Sequence, residues 1–489
     1  MSIKIEINIM GWIRRLCDFL KYRVNIWHIL LLSLAVHFLV IATPPIRLKP
    51  EAELIKLVDE GKIPYGSPYY YFGDAFDGLV FDEAHYVPAA FKTLDLQAAN
   101  IEHPPLTKIF IALSIGVFGG VNSGEYILSF AVRLPIVIAS VASIYVVYLI
   151  AKRYLPERYA LLSAVFLTFD IFFFVHGSIA ILDMPEILFA LIAIYFFLNK
   201  KYEWSALFFG VSFLCLERVL FFMFGIFVFA LLTVLPRLVK SQQKLLEAKS
   251  LGKVAAVFVL IFLAVSLGGL YIYEIIYKPA TESMSDVVVY VDEYGEPWTT
   301  VTETTPAGFI SNPIHHLMFM WDYYSVLTPS IEPKPEDYRP PWGWTLPAVN
   351  MWNPPGYIMI GYVTETGEFE PISKQWVSMI SYPIAYMFWP IYGLCIYNLV
   401  KKRETAFSKL FIALTSGTYL PWLFFGAFVQ RMTFNYYFLV TTPFLAMGVP
   451  YFWSQIPINR KYRNICILLH FIITFAFFVY YFPWVTHPA

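Results

Sequence analysis

Charge is scarce in this chain. Only 14% of its 489 residues are Asp, Glu, Lys or Arg, against roughly 25% in soluble domains. The bases and acids cancel to a net charge of +0, so there is no basic footprint for nucleic acid. Cysteine is limited to Cys17, Cys215, Cys395 and Cys466. Three lie in apolar runs and one near the N-terminus, so no disulfide framework can be read from them. The absence of a Gly-Lys-Ser/Thr phosphate loop and of a Rossmann fingerprint argues against ATP-driven pumping. No Asp-x-Asp, His-x-x-x-His or cysteine cluster is present, and neither a dedicated metal site nor a cofactor is expected.

Apolar residues fill the space that charge leaves. The chain is 58% hydrophobic and 19% aromatic, with a mean hydropathy of +0.60. A bilayer-spanning helix needs about 17–25 apolar residues. Runs of that kind lie at 27–44, 130–150, 159–176, 179–198, 203–217, 219–236, 253–276, 376–399, 407–427, 433–453 and 463–482. They predict an all-α polytopic membrane protein with about 11 transmembrane helices and two large outer loops. A further run, 107–120, is shorter and ends on glycine. If it does not cross, every basic cluster falls inside: Arg14-Arg15, Lys152-Arg153, Lys200-Lys201, Arg237 to Lys253, Lys401-Lys402-Arg403 and Arg460-Lys461. It is therefore expected to be a juxtamembrane helix on the outer face, with the N-terminus inside.

The expected organisation follows. Residues 1–26 form a cytoplasmic amphipathic N-terminus, in which Ile9, Trp12, Ile13 and Leu16 recur at helical spacing; a frayed basic terminus fits equally well. Residues 27–276 form a transmembrane catalytic module that includes the outer loop 45–129. Residues 277–375 form a second outer loop, with thirteen acids against four bases, and alternation there predicts a hairpin across Gly295. Residues 376–489 carry the last spans.

Ionisable side chains near a bilayer are functional candidates by default, and here they collect on the outer side. Asp82, Glu83, His103, Lys108, Arg133, Asp183, Glu217, Arg218 and Arg431 all fall there. Each also has a plainer reading. Asp82-Glu83 suits a solvated loop pair, and Arg133 and Arg431 suit snorkelling anchors. Glu217-Arg218 suits a structural ion pair, and Asp183 suits a cap for the helix opening at Met184-Pro185. Asp170 lies deeper and is expected to pair with another span. As a functional set, an outward carboxylate can act as general base toward a hydroxyl, and arginines at helix ends can hold a phosphate. An apolar groove beside them suits a polyprenyl tail. The chemistry would be group transfer from a lipid phosphate; intramembrane Asp170 would favour a transporter instead, but the charges gather at one face rather than at midplane.

Several segments resemble the protein O-mannosyltransferases, the dolichyl-phosphate-mannose–protein mannosyltransferase family. Phe81-Asp82-Glu83-Ala84-His85-Tyr86 resembles its Phe-Asp-Glu-x-His-Phe/Tyr motif. His103-Pro-Pro-Leu-Thr-Lys108 resembles its His-Pro-Pro-Leu-Gly-Lys, with Thr107 in place of glycine. Arg133-Leu134 matches the arginine opening its next span, and Ser178-Ile-Ala-Ile-Leu-Asp183-Met-Pro185 resembles its Ser-Arg-Ile-Ala-Met-Leu-Asp-Met-Pro, without the arginine. Pro341-Trp342-Gly343-Trp344 resembles its Pro-Trp-x-Trp loop, and Arg431-Met-Thr-Phe-Asn-Tyr-Tyr437 its Arg-x-x-Phe-x-Tyr-His-Tyr segment.

The resemblance implies a GT-C glycosyltransferase that inverts the anomeric carbon. Its partners would be a polyprenyl or dolichyl phosphate mannose donor, an acceptor polypeptide presenting Ser or Thr, and the lipid bilayer. Asp82 would be the base, with Glu83 beside it. Arg431 and Arg133 would flank the donor phosphate, with His103, Lys108, Asp183 and Tyr437 also on the donor side. The second loop is too short for the β-trefoil MIR domain of eukaryotic members, so a prokaryotic or archaeal type is implied. Its site would face outside the cell membrane rather than an endoplasmic reticulum lumen. Two related readings stand beside this one. Aminoarabinose transferases usually have Lys-Pro-Pro where this chain has His103-Pro-Pro. Trp321-Asp322-Tyr323 resembles part of the oligosaccharyltransferase Trp-Trp-Asp-Tyr-Gly motif, which lies there in a large soluble domain.

Overall fold

The computed structural model describes residues 25–279, 290–291, 297–299, 313–326, 340–346, 360–363, 369–373, 376–403, 405–429 and 433–483. The helices are α1 (Ile26–Phe38), α2 (Glu51–Asp59), α3 (Glu83–Leu94), α4 (Leu106–Phe118), α5 (Glu125–Lys152), α6 (Glu157–Thr168), α7 (Ile171–His176), α8 (Asp183–Leu198) and α9 (Tyr202–Cys215). They continue as α10 (Val219–Lys240), α11 (Lys244–Ile276), α12 (Pro313–Val326), α13 (Tyr382–Ala385), α14 (Phe388–Val400), α15 (Thr405–Phe424), α16 (Thr442–Gln455) and α17 (Arg460–Tyr480).

Local chemistry sets several boundaries. Asn25 opens α1 by accepting from the backbone N–H groups of Trp27 and His28, a side-chain N-cap. Gly119, at φ 97°, closes α4 in the left-handed conformation that glycine adopts without penalty. In the bundle, α5 packs against α1, α4, α6 and α8; α9 joins α8 to α11; α10 lies along α15; and α16 lies along α6. The α10–α15 crossing is close because Gly225 meets Gly417: a Cβ on Gly417 would sit 2.4 Å from the Gly225 nitrogen. Such small-residue contacts are a common way for membrane helices to approach.

Every predicted apolar run is occupied by helix, but not always by one continuous helix. The run 159–176 breaks after Thr168, and 376–399 divides between α13 and α14. The run 433–453 opens with a 3-10 turn over Asn435–Thr441 before α16. Among the described residues, six helical segments are long and apolar enough to cross a membrane: Glu125–Lys152, Val219–Pro236, Leu245–Ile276, Tyr382–Val400, Thr405–Val429 and Arg460–Tyr480. α1, α4 and α9 are shorter apolar helices. The run 107–120 is α4, thirteen residues long, or about 20 Å at 1.5 Å per residue. α1, also thirteen residues, is equally short of the ~30 Å hydrocarbon core, so length does not separate the two, and it is the distribution of basic clusters that keeps α4 on the outer side. A single cysteine placed at Asn122 should accordingly be labelled from outside the cell and one at Asn199 from inside; inside labelling at Asn122 would overturn this topology.

The segments between the apolar helices are tied together by short pairings. Arg47–Leu48 runs antiparallel to Phe76–Asp77, and Gln97–Ala98 runs parallel to Lys278–Pro279. Tyr290–Val291 pairs antiparallel with Pro297–Thr299; Gly295, where the hairpin turn is expected, lies outside the described residues. The amphipathic helix expected before residue 25 lies outside the described residues.

Candidate active site

The segment before α3 is built to present Asp82. Gly78, at φ 80°, presses against the chain at Pro45, where a Cβ would come within 2.1 Å of the carbonyl oxygen. Phe81 holds φ 54°, a left-handed conformation that is costly for an L side chain. This turn delivers Asp82 as the N-cap residue of α3, yet its side chain caps nothing. Among the described residues, its carboxylate has no hydrogen-bond or ion-pair partner. Burial pushes the Asp82 carboxyl up from its usual range to about 7; the nearby Asp183 carboxylate adds to the rise and His103 opposes it.

Glu83 faces the opposite way and is 0% exposed. Its Oε1 accepts from Arg133 Nε and from the Ala180 N–H, both at 2.8 Å. Its Oε2 accepts from Arg133 Nη2 at 2.9 Å and the Val80 N–H at 2.8 Å. Arg133, equally buried, spends its other N–H groups on the carbonyls of Ile41, Thr43, Pro44 and Gly78 at 3.0–3.2 Å. Its five donors leave nothing for a phosphate. The donor-side role expected of Arg133, and its plainer reading as a snorkelling anchor, are both corrected: it is the internal partner of Glu83. By the same geometry Glu83 touches no reacting group. It positions the turn that carries Asp82, together with residues 41–44 and the segment before α8.

Lys108 is also consumed internally. Its ammonium donates to the carbonyl and side-chain oxygens of Asn100 and, at 2.9 Å, to the His103 carbonyl. It braces the turn carrying His103 and makes no outward contact. The His103 ring lies between Tyr86 and Tyr323, with centroids 6.1 and 5.9 Å away. Its Nδ1 is 3.8 Å from Glu217. Asp183 does not cap α8; it binds Arg218 at 2.6 Å, and Glu186 binds the same guanidinium at 2.7 Å. The expected Glu217-Arg218 pair is thus divided, each residue partnering a different element. Glu186 was not anticipated, although its i, i+3 spacing from Asp183 places both on one helix face. Asp170 caps α7 by accepting from the Phe173 N–H at 2.9 Å, which replaces the expected pairing with another span.

Tyr437 stacks on Trp422 with centroids 4.3 Å apart, and its neighbour Tyr436 meets Phe81 edge-on at 5.5 Å. The 3-10 turn therefore forms a wall next to Asp82. Trp344 of the Pro-Trp-x-Trp segment is buried, and the Pro341 carbonyl accepts from the Tyr419 hydroxyl at 2.8 Å. Arg431 lies outside the described residues. Among those described, no group of three His, Cys, Asp or Glu side chains is arranged to hold a metal ion. Asp82, His103, Tyr86 and Asp183 are thus brought together, while Arg133, Glu83 and Lys108 support them from behind.

Residues 102–267 match the family model of the dolichyl-phosphate-mannose-protein mannosyltransferases. Over this stretch, about a third of its length, the chain is similar to the protein O-mannosyltransferases. Its fold is similar to that of the S. cerevisiae protein O-mannosyltransferase Pmt1-Pmt2 complex bound to the sugar donor. The TM-score is 0.57 and the identity 14%, over 89% of this chain and 93% of that one. ArnT from Cupriavidus metallidurans aligns at TM-score 0.48 and 13% identity, covering 86% of this chain and 62% of that one. The Archaeoglobus fulgidus oligosaccharyltransferase aligns at 0.46 and 14%, covering 96% and 57%. No curated protein matches. The chain accordingly has the GT-C fold and six helices apolar and long enough to span a membrane among its described residues, and its matched stretch is similar to glycosyltransferases that use a lipid-linked sugar.

Proposed function

We propose that the chain transfers mannose from a polyprenyl or dolichyl phosphate mannose to Ser or Thr hydroxyls of a polypeptide, at the outer face of a cell membrane. The observation that carries this is Asp82: a carboxylate without a hydrogen-bond or ion-pair partner among the described residues, with its pKa raised by burial to about 7, next to a Glu83 that is fully bonded internally. As the acceptor oxygen attacks the anomeric carbon, Asp82 takes its proton. The bond from that carbon to the phosphate oxygen breaks, and the polyprenyl phosphate leaves with the electron pair. The configuration inverts. A phosphate needs no proton to leave, so a single carboxylate suffices. With Arg133 internally committed, Arg431 is the arginine assigned to the donor phosphate, and His103 stands at the rim of the same site. Asp183, braced by Arg218, is placed to accept hydrogen bonds from the sugar, and Tyr437 belongs to the aromatic wall. The family match supports the choice of sugar and acceptor.

The reading is tested by incubating purified protein with labelled polyprenyl phosphate mannose and a Ser/Thr-rich peptide. Label on the peptide is expected; label passing only to a lipid or glycan acceptor would refute the assignment. The pH dependence follows from the raised carboxyl. Below about 7 Asp82 is protonated and cannot accept the hydroxyl proton; above it, the base is present. The logarithm of kcat/KM should therefore climb with unit slope up to about pH 7 and then level off. A profile already flat from pH 5 would remove Asp82 from this role.

A further inference from the structure

The second outer loop contributes a helix, α12, with two contrasting faces. On one, His316 is buried with Nδ1 3.0 Å from Glu274 at the end of α11 and Nε2 2.8 Å from the Ile101 carbonyl. Met320 is buried on the same stripe, and Tyr323 reaches the His103 ring. These three follow i, i+4, i+7 spacing. Ile314, Met318 and Trp321 repeat that spacing two residues earlier and are 58%, 59% and 76% exposed. Two residues turn a helix by about 200°, so the exposed apolar stripe lies opposite the docked one.

What covers this stripe is indicated by its surroundings. α12 packs on the outer end of α11, where Ile272, Ile275 and Ile276 are also exposed. α11 is one of the helices long and apolar enough to span the bilayer, so these isoleucines face lipid. Met318 and Trp321 extend that surface beyond the end of the spanning helix. Among its fourteen residues α12 carries no lysine, arginine or glutamate, and Asp322 is its one acid. Tryptophan beside a polar residue is the usual composition at the membrane–water boundary.

We infer that α12 lies in the outer membrane interface, with Ile314, Met318 and Trp321 in the acyl boundary and Asp322 at the aqueous edge. The occupant of the stripe is the bilayer itself. The helix is then an in-plane strut: lipid bears on one face while the other holds Tyr323 against His103. This placement does not depend on the sugar or acceptor proposed above.

Nitroxides attached singly at Ile314→Cys, Met318→Cys, Trp321→Cys and Asp322→Cys test it, in the full chain carrying Cys17→Ser and Cys466→Ser. The protein is reconstituted in phosphatidylcholine–phosphatidylglycerol vesicles. Collision with oxygen should exceed collision with a nickel chelate at the first three positions, and the order should reverse at Asp322. Nickel chelate dominating at Met318 and Trp321, low access to both reagents there, or oxygen dominating at Asp322 would each overturn the inference. Failure of mannosyl transfer leaves this measurement untouched.

Discussion

Asp82→Asn should lower transfer by about 10²–10⁴-fold, the usual range for loss of a general base, while donor binding persists. The substitution keeps side-chain shape and removes the basic electron pair. Asp82 makes no contact that supports the fold: it caps no helix and has no ion-pair partner among the described residues. The folded structure should therefore be kept, and the loss should appear in kcat with donor affinity and Tm near wild type. Near-normal turnover in Asp82→Asn would sink the assignment. Collapse of donor binding along with turnover would mean that the carboxylate contacts the ground-state sugar instead.

Arg133→Met should be the most damaging substitution to stability, costing about 3–5 kcal/mol, the range for breaking a buried ion pair by removing one partner. It would leave the buried Glu83 without its ionic partner and strip four carbonyls of their donor. Glu83→Gln should cost less, because the amide's carbonyl oxygen can still accept from one of Val80 and Ala180 and Arg133 keeps its four backbone carbonyls. The double variant should lose less than the sum of the two, as coupled partners do. A thermal-unfolding series on the three variants measures this; strictly additive losses would mean that the two side chains do not act as a pair. Activity should fall in all three, since the turn presenting Asp82 hangs from this pair.

The positions of the apolar helices were legible because length and apolarity are local properties. The Phe81–Tyr86 segment was legible because adjacent acids outside a span stand out against so little charge. The jobs of the two acids were harder to read. Only the three-dimensional meeting of Glu83 with Arg133, Ala180 and Val80 shows that one is consumed internally and leaves the other free. The same holds for Arg133 and Lys108: a cation at headgroup depth looks identical in sequence whether it faces a phosphate or a cage of carbonyls. Glu186 was hidden among the apolar residues of its helix, and its i, i+3 relation to Asp183 was the available clue. The division of Glu217 and Arg218 had none, since neighbours in sequence carry no record of which long-range partner each will find.

The parallel pairing of Gln97–Ala98 with Lys278–Pro279 sets an order of events during synthesis. Its two strands are separated in the chain by eight helices, α4 to α11, and a parallel pair cannot form until the whole crossover between them exists. The Ala99–Tyr273 and His316–Ile101 bonds close the same junction. The turn bearing Asp82 is made early, but the wall behind His103 arrives only after α11 and α12 have left the ribosome. A nascent chain halted before residue 278 would carry Asp82 without the wall behind His103, and transfer by the proposed route is expected only once that junction has closed.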